Sequence, residues 1–115
     1  MSRQPDLPRG SVAWADLSPT RGREQAGRRP VLLVASRGYL ETMTTLVIVV
    51  PVTSVDHGWP NHVRLRCRPG LAPASWAMTE QVRTISRDRL TSVVGVVDDA
   101  TLRQVDVYLR DFLGL

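Results

Sequence analysis

The sequence predicts a mainly β domain closed by one C-terminal helix. Short apolar runs separated by turn-forming residues occupy most of the chain, and the hydrophobic period lengthens from two to between three and four only near the C-terminus. The 115 residues, 43% of them hydrophobic, are enough for one compact domain with a small core. Residues 1–115 are therefore expected to form a single domain.

The first half of the chain contains three predicted strands. Residues 12–17 form the first, and the second runs from Pro30 to about Ala35. Proline is acceptable at a strand's first position because no ladder donor is needed there. Residues 46–52 are so rich in Val, Ile and Leu that both faces must be covered, which predicts that this strand is central.

The second half contains a half-buried strand, three shorter strands and the helix. Val63, Leu65 and Cys67 alternate with arginines, which predicts one strand with the Cys67 thiol turned inward. Shorter strands are expected at residues 75–78, 81–85 and 90–97. Asp98 or Asp99 caps a helix that ends before Gly114. Its apolar stripe consists of Leu102, Val105, Leu109 and Phe112.

Charge and cysteine content limit the classes of function. The chain carries a net charge of +4, all fifteen basic residues are arginine, and residues 1–37 hold seven of them against three carboxylates. An anionic partner, either nucleic acid or an acidic protein, is expected on this side. One cysteine and two histidines predict no disulfide, metal site or cofactor. The lack of a leader or a long apolar run predicts a cytoplasmic protein that does not enter the membrane.

The loop of residues 18–30 is the most informative segment. It combines one carboxylate, Glu24, with four arginines and turn-forming Pro and Gly residues. The arginines are Arg21, Arg23, Arg28 and Arg29. Planar guanidinium groups suit bidentate phosphate recognition, and a carboxylate among them can move a proton. The loop is therefore a candidate active site as well as a binding surface.

Four colinear segments carry a family resemblance. They are Gly10-Ser-Val-Ala-Trp-Ala-Asp-Leu17, Pro19-Thr-Arg-Gly-Arg-Glu-Gln-Ala-Gly-Arg-Arg-Pro-Val31, Val50-Pro-Val-Thr-Ser54 and Thr79-Glu-Gln-Val-Arg-Thr-Ile-Ser-Arg-Asp-Arg-Leu90. In this order, and over nearly the whole chain, they resemble the MazF/PemK toxins of bacterial type II toxin–antitoxin systems. The resemblance implies a small SH3-like β-barrel of the CcdB/PemK type and a homodimer. It also implies metal-independent, sequence-selective cleavage of single-stranded RNA, and neutralisation by a cognate MazE-like antitoxin.

The resemblance also implies roles for individual residues. Arg29 matches the family's catalytic arginine, and Pro30 after it favours an extended backbone that fixes the guanidinium at the strand's entrance, as a clamp for the scissile phosphate. Thr53 matches a hydroxyl residue able to donate to a non-bridging phosphate oxygen, or else it bonds only to local backbone. Ser54 is a weaker neighbour for the same task.

Two carboxylates compete for the proton-transfer role. Glu24 is preferred, and as an ionised group among arginines it suits a base better than an acid. Glu80 is the alternative because relatives commonly have Asp-Gln at the Glu80-Gln81 position, in some with a catalytic acid there. In those relatives an arginine lies two residues earlier, where this chain has Met78. This difference weakens the transfer of that mechanism to Glu80.

The remaining candidates are expected to bind RNA. Trp59 either stacks on an unpaired base or pins its own loop against the barrel. His57 and His62 either contact RNA or are solvated turn residues, and the second alternative is preferred. The full set predicted to bind RNA is Arg21, Arg23, Arg28, Ser54, Trp59 and Arg83.

A different class of function stays open at this point. Toxins with a related barrel fold bind DNA gyrase without catalysis, and the tryptophans or the long N-terminal loop could form such an interface. RNA cleavage is favoured because the Glu24 to Arg29 loop and the Pro-Val-Thr-Ser segment occur together. A purely structural barrel has only the small size in its favour.

Overall fold

The computed structural model of the chain describes residues 7–17, 27–68 and 73–115. Within these ranges the strands are β1 (Ser11–Asp16), β2 (Arg28–Leu33), β3 (Leu46–Thr53), β4 (His62–Arg64), β5 (Cys67–Arg68), β6 (Trp76–Met78), β7 (Arg83–Ser86) and β8 (Leu90–Val97). The helices are α1 (Arg37–Thr42) and α2 (Asp99–Leu113), and single turns of 3-10 helix cover Thr79–Gln81 and Arg87–Arg89.

The strands form one antiparallel sheet with β3 near its centre. The strand order is β4-β6-β3-β2-β1-β8-β5, and β7 pairs with β3 outside this path. The central position predicted for residues 46–52 and the mainly β class with a C-terminal helix are both confirmed. Among the described strands, these pairings leave the sheet open instead of closing it into a complete barrel.

The sheet buries apolar side chains on both faces. In β1, Val12 lies in one cluster, while Ala13 and Ala15 lie in a second cluster on the opposite face. Helix α2 covers the first cluster with Val105 and Leu109. The second cluster is completed by Leu40 of α1 and Ile85 of β7, among others. Coverage on both sides explains why Val31 to Leu33 of β2 and Leu46 to Val52 of β3 are continuous apolar runs instead of alternating ones.

Helix α2 begins and ends where the sequence predicts. The Asp98 carboxylate accepts a hydrogen bond from the Thr101 N–H at 2.8 Å, and Gly114 adopts a left-handed conformation with φ of 70°. The predicted stripe is wrong at its last residue, because Phe112 is 49% exposed. Leu109 is the last α2 residue in the core cluster, and the final turn runs beyond it.

Two further expectations differ from the structure. The alternating segment around Leu65 is not one strand. β4 pairs with β6, whereas β5 pairs with β8 at the opposite edge of the sheet, so the predicted strand is interrupted between Arg64 and Cys67. Helix α1 was not expected because six residues with one buried side chain, Leu40, carry no readable period. The Arg87 side chain stabilises it by donating to the Leu40 carbonyl at 2.9 Å.

The inward orientation of Cys67 is confirmed. Its side chain belongs to the first core cluster, and burial raises the pKa of the thiol. A raised pKa keeps the group protonated near neutral pH, which is the unreactive form. Among the described residues, no helix is both long and apolar enough to cross a membrane.

The helix cap predicts a specific pH dependence of stability. Hydrogen bonds from the Thr101 side chain and then its backbone lower the pKa of Asp98 below its ordinary 3.8. A lowered pKa in the folded state contributes stability above pH 3.8, and this contribution is lost as the pH falls through the folded-state value. Asp98→Asn keeps a capping oxygen without the charge. We expect wild type to have the higher Tm at pH 7, with the difference disappearing in acid.

Thermal unfolding between pH 2.5 and 7 measures this difference. Asp98→Ala serves as the control because it removes the cap at every pH and should be less stable than Asp98→Asn throughout. A difference between wild type and Asp98→Asn that stays constant with pH would contradict the assignment.

Candidate active site

The pairing of β2 with β3 brings Arg29 and Thr53 together. The register sets Val31 opposite Pro51, and continuing it by two residues sets Arg29 opposite Thr53, within the bounds of both strands. Directly opposed residues in an antiparallel pair lie on one face, with Cβ atoms about 4.5–5.5 Å apart. Arg29 is half-buried and Thr53 is buried. A guanidinium and a hydroxyl from distant parts of the sequence therefore share one position on the sheet.

The same row continues across the neighbouring strands. Thr53 is opposite Trp76 of β6, and Trp76 is opposite Arg64 of β4. Trp76 is half-buried and Arg64 is exposed. We call Arg29, Thr53, Trp76 and Arg64 the phosphate row. Trp76 and Arg64 were not among the sequence candidates, because cross-strand neighbours follow from a register that one sequence does not reveal.

Thr53 makes a local hydrogen bond that orients its side chain. The hydroxyl oxygen accepts from the Val55 N–H at 3.1 Å, which is the backbone contact that the sequence left open. This bond uses the oxygen as an acceptor, and a hydroxyl also has one hydrogen to donate. Local bonding is therefore compatible with donation to a ligand. Ser54 follows in an exposed bend.

Glu80 lies on the 3-10 turn after β6 and is held by two side chains. Its carboxylate contacts His62 Nε2 at 2.9 and 3.0 Å and accepts from Asn61 Nδ2 at 2.9 Å. The expectation that His62 is solvated is wrong, because its side chain is only 3% exposed. The β4–β6 register sets His62 opposite Met78, two residues before Glu80, which explains the contact.

Trp59 packs on two histidines and still faces solvent. Its ring lies 4.8 Å from the His62 ring and 5.6 Å from the His57 ring, measured between centroids. The residue is 52% exposed. The two alternatives for Trp59 are therefore not exclusive, since one side of the indole packs on its own loop and another is open to a ligand.

Arg28 and Arg83 lie away from the phosphate row. Arg28 alternates with Arg29 along β2, so it projects to the other face, where its guanidinium carbon lies 5.2 Å from the centroid of the Trp14 ring. Arg83 is opposite Val49, four residues before Thr53 and therefore roughly 13 Å along β3. Neither side chain shares the position of Thr53.

The remaining predicted residues are outside the described ranges. They are Arg21, Arg23 and Glu24. The ends of their loop are described: the Leu17 N–H donates to the Gly27 carbonyl at 3.0 Å, one position beyond the pair Asp16 and Arg28. The loop is therefore closed at its base beside Arg29. Among the residues that are described, no group of three or more His, Cys, Asp or Glu side chains is arranged to hold a metal ion.

The arrangement suits a phosphate-bearing ligand. Two guanidiniums and one hydroxyl are available along a single row as hydrogen-bond donors to a ligand. Guanidiniums also keep their charge at any physiological pH. The half-buried indole between them offers an apolar surface, and a carboxylate lies on the adjoining turn. Such a site can bind the backbone of a nucleic acid and contact its bases.

Comparison with known proteins identifies the family of the chain. The family described as "PemK-like, MazF-like toxin of type II toxin-antitoxin system" matches residues 8–113. Endoribonuclease EndoA of Bacillus subtilis is 37% identical over 109 residues, covering 93% of this chain and 94% of that protein. Endoribonuclease MazF9 of Mycobacterium tuberculosis is 36% identical over 113 residues, covering 93% and 96%.

Solved structures give the same result. The crystal structure of MazF from Deinococcus radiodurans matches with a TM-score of 0.85 at 27% identity, covering 97% of this chain and 100% of that chain. A MazE-MazF structure from the same organism matches with a TM-score of 0.78 at 27% identity, covering 97% and 99%. These matches favour the MazF-like interpretation over the gyrase-binding alternative. The chain belongs to the PemK-like, MazF-like toxin family of type II toxin–antitoxin systems.

Proposed function

We propose that the protein is an endoribonuclease, the toxin of a type II toxin–antitoxin system, which cleaves single-stranded messenger RNA at short sequences and so inhibits translation and growth. The register between β2 and β3 carries this proposal, since its continuation by two residues beyond Val31 and Pro51 sets Arg29 opposite Thr53. Two relatives named endoribonucleases, at 37% and 36% identity, support it. Residues 1–115 act as one endoribonuclease domain in the cytoplasm, where messenger RNA is translated.

The proposed reaction needs no metal ion or cofactor. A base removes the proton of a ribose 2′-hydroxyl, and the resulting oxyanion attacks the adjacent phosphorus. The bond from phosphorus to the 5′-oxygen breaks, and that oxygen takes up a proton. The products are a 2′,3′-cyclic phosphate and a 5′-hydroxyl. Arg29 and Thr53 donate hydrogen bonds to the non-bridging oxygens, where negative charge grows in the transition state.

Glu24 is the proposed base, and Glu80 is the competing candidate. The closed base of the Glu24 loop beside Arg29 supports the first assignment. Glu80 is already hydrogen-bonded to His62 and Asn61, which restrains its carboxylate. A correctly positioned proton-transfer group contributes about 10²- to 10⁴-fold to a rate. Removing whichever of the two carboxylates acts as the base should therefore remove most of the activity.

The arginines outside the phosphate row attract and hold the RNA chain. Arg21, Arg23 and Arg28 steer the substrate, Ser54 contacts it beside Thr53, and Trp59 and Arg83 contact it further from the cut. Trp59 contributes an exposed indole, and the chain's net charge of +4 favours a polyanion. Attraction of this kind weakens as salt concentration rises.

The toxin is proposed to act as a homodimer and to be inhibited by a cognate MazE-like antitoxin encoded nearby. The MazE-MazF structure from Deinococcus radiodurans, whose matched chain is 27% identical, supports the partner. An acidic, partly disordered antitoxin tail complements the basic surface, and it competes with RNA when it lies across the phosphate row near the dimer interface.

Removing the Arg29 guanidinium should abolish most of the activity. We expect the wild-type protein to cut a mixed-sequence RNA in excess EDTA, and Arg29→Ala to lower kcat by about 10²- to 10³-fold. Arg103→Ala is the matched control, because it removes an exposed arginine from α2 without touching the phosphate row. Intact RNA with wild type, or undiminished cutting by Arg29→Ala, would refute the proposal. Sequencing the 5′ ends of the products identifies the recognised bases.

The Thr53 hydroxyl should matter more than the shape of its side chain. Thr53→Val keeps the branched shape but cannot donate, so we expect kcat to fall by about 10²-fold, whereas Thr53→Ser retains most of it. Single-turnover cleavage with the protein in excess measures the chemical step. Equal rates for the Val and Ser variants would contradict a donor role.

Saturation with the cognate antitoxin should reduce cleavage to background. The physical reason is competition for one basic surface, so inhibition should be relieved by a large excess of RNA. Titration of antitoxin against a fixed toxin concentration provides the measurement, with an unrelated peptide of equal negative charge as the control. Full activity at antitoxin saturation is the result that would exclude this form of regulation.

A further inference from the structure

The loop after β3 is fastened to the 3-10 turn that follows β6. The Glu80 carboxylate binds both His62 Nε2 and the Asn61 side-chain amide. The Thr79 hydroxyl donates to the Asn61 carbonyl at 2.7 Å. We call His62, Asn61 and Glu80 the clamp. Its bonds join residues 18 and 19 positions apart in the sequence, so the clamp fixes one loop on the other.

The clamp contacts the exposed tryptophan, Trp59, through His62. The His62 N–H donates to the Trp59 carbonyl at 3.0 Å, and the two rings are 4.8 Å apart. His57 packs edge-on against His62 at 5.3 Å and completes a group of three rings. Trp59 is therefore supported from below by a buried histidine that a carboxylate holds in orientation. An aromatic side chain fixed in advance loses little conformational entropy when a ligand stacks on it.

The clamp lies on the face that carries Arg29 and Thr53. His62 is opposite Met78, and Arg64 of the phosphate row is opposite Trp76, so His62 is two residues along the same strand pair from that row. Two residues of a strand span roughly 7 Å. His62 and Arg64 project to one side of β4, since alternate residues share a face. A single short RNA can thus contact the phosphate row and Trp59 together.

We propose that Trp59 is a stacking platform for one unpaired RNA base beyond the Arg64 end of the phosphate row, and that His62 and Glu80 are positioning residues that hold it. This inference rests on the proposed ribonuclease function. An RNA base is favoured over a protein side chain because the Arg64 guanidinium lies two residues from His62, whose ring packs on the exposed indole, and single-stranded RNA is recognised by a combination of cations and stacking surfaces. Glu80 acts through His62, which accounts for a carboxylate whose oxygens both face an imidazole.

The first experiment measures binding without cleavage. The probe is a mixed-sequence 2′-O-methyl RNA, which lacks the attacking hydroxyl, and the readout is quenching of tryptophan fluorescence in the full-length protein. Because Trp76 belongs to the phosphate row and would also be quenched, the comparison is made in a Trp76→Phe background, where we expect Trp59→Phe to lose most of the remaining signal although Trp14 is kept. Trp59→Ala should weaken binding about 5- to 100-fold, the range for loss of one stacked base. In cleavage assays the same variant should raise KM more than it lowers kcat.

The second experiment tests the clamp. Glu80→Ala removes the acceptor for His62 and should weaken RNA binding nearly as much as Trp59→Ala. Glu80→Gln keeps a carbonyl oxygen that accepts from Nε2–H, so it should restore most of the affinity. Glu41→Gln is the control, since Glu41 pairs with Arg37 on the exposed surface of α1. Circular dichroism and Tm identify any variant that fails to fold, and Glu80, with its side chain 29% exposed, tolerates substitution better than buried His62.

The outcomes separate this inference from the proposed function. If wild type cuts RNA and both Trp59→Ala and Glu80→Ala bind the probe normally, the platform is refuted and the ribonuclease assignment stands. If wild type binds the probe through Trp59 but cuts no RNA, the ribonuclease assignment is refuted. Weakened binding of the antitoxin alone would mean that Trp59 serves a protein interface, which overturns the platform. Equal losses in Glu80→Gln and Glu80→Ala would overturn the clamp.

Discussion

The register between β2 and β3 is the constraint on which the rest of the structure depends. A slip of one residue would turn Arg29 to the face of Arg28, because side chains alternate along a strand. Apolar patterning alone does not prevent such a slip, since both faces of these strands are buried in clusters. The β1–β2 hairpin adds the missing restraint. Its pairing runs from Val12 and Leu32 to Asp16 and Arg28, and the Leu17 N–H continues it to Gly27.

Strand β3 changes partners halfway, and this change creates room for the clamp. Its C-terminal end, Val52 and Thr53, pairs with β6, while Leu46 to Val49 pair with β7. Val50 and Pro51 lie between these two pairings and pair with neither β6 nor β7. Opposite this gap the chain leaves β6 and enters the 3-10 turn that contains Glu80. A proline in this gap is tolerated because no rung with β6 or β7 needs its missing N–H. The end of the β3–β6 pairing therefore places the Glu80 carboxylate at the edge of the phosphate row.

Local signals were sufficient for much of the fold. The helix cap at Asp98, the left-handed Gly114 and the apolar run of β3 each depend on neighbours within a few residues, and each was predicted correctly. Alternation around Leu65 correctly identified Cys67 as buried but not the break, because a period of two reveals orientation and not the partner strand. Helix α1 depends on a contact from Arg87, 47 positions away from Leu40.

In the candidate site, too, the sequence predicted individual residues but not the contacts between distant strands. Arg29 and Thr53 were predicted from family resemblance, whereas their opposition depends on a register between strands. Burial of His62 was missed because it requires Glu80, whose position is set by β6 and not by the turn-rich sequence around Trp59. Trp76 and Arg64 were missed for the same reason. Cross-strand neighbours are properties of the fold, and one sequence names the residues without pairing them.

Glu80 and Glu24 are the two candidates for the proposed proton transfer, and the described contacts of Glu80 bear on the choice between them. Glu80 is bound by two donors on a rigid turn, so a carboxylate there stabilises a loop well but exchanges a proton with substrate only by giving up those bonds. Glu24 belongs to a loop whose ends meet beside Arg29, and loops on rigid strands are where catalytic groups commonly lie. Under the proposed assignments Glu24 transfers the proton and Glu80 holds the loop of Trp59 through His62, which gives each carboxylate a single task.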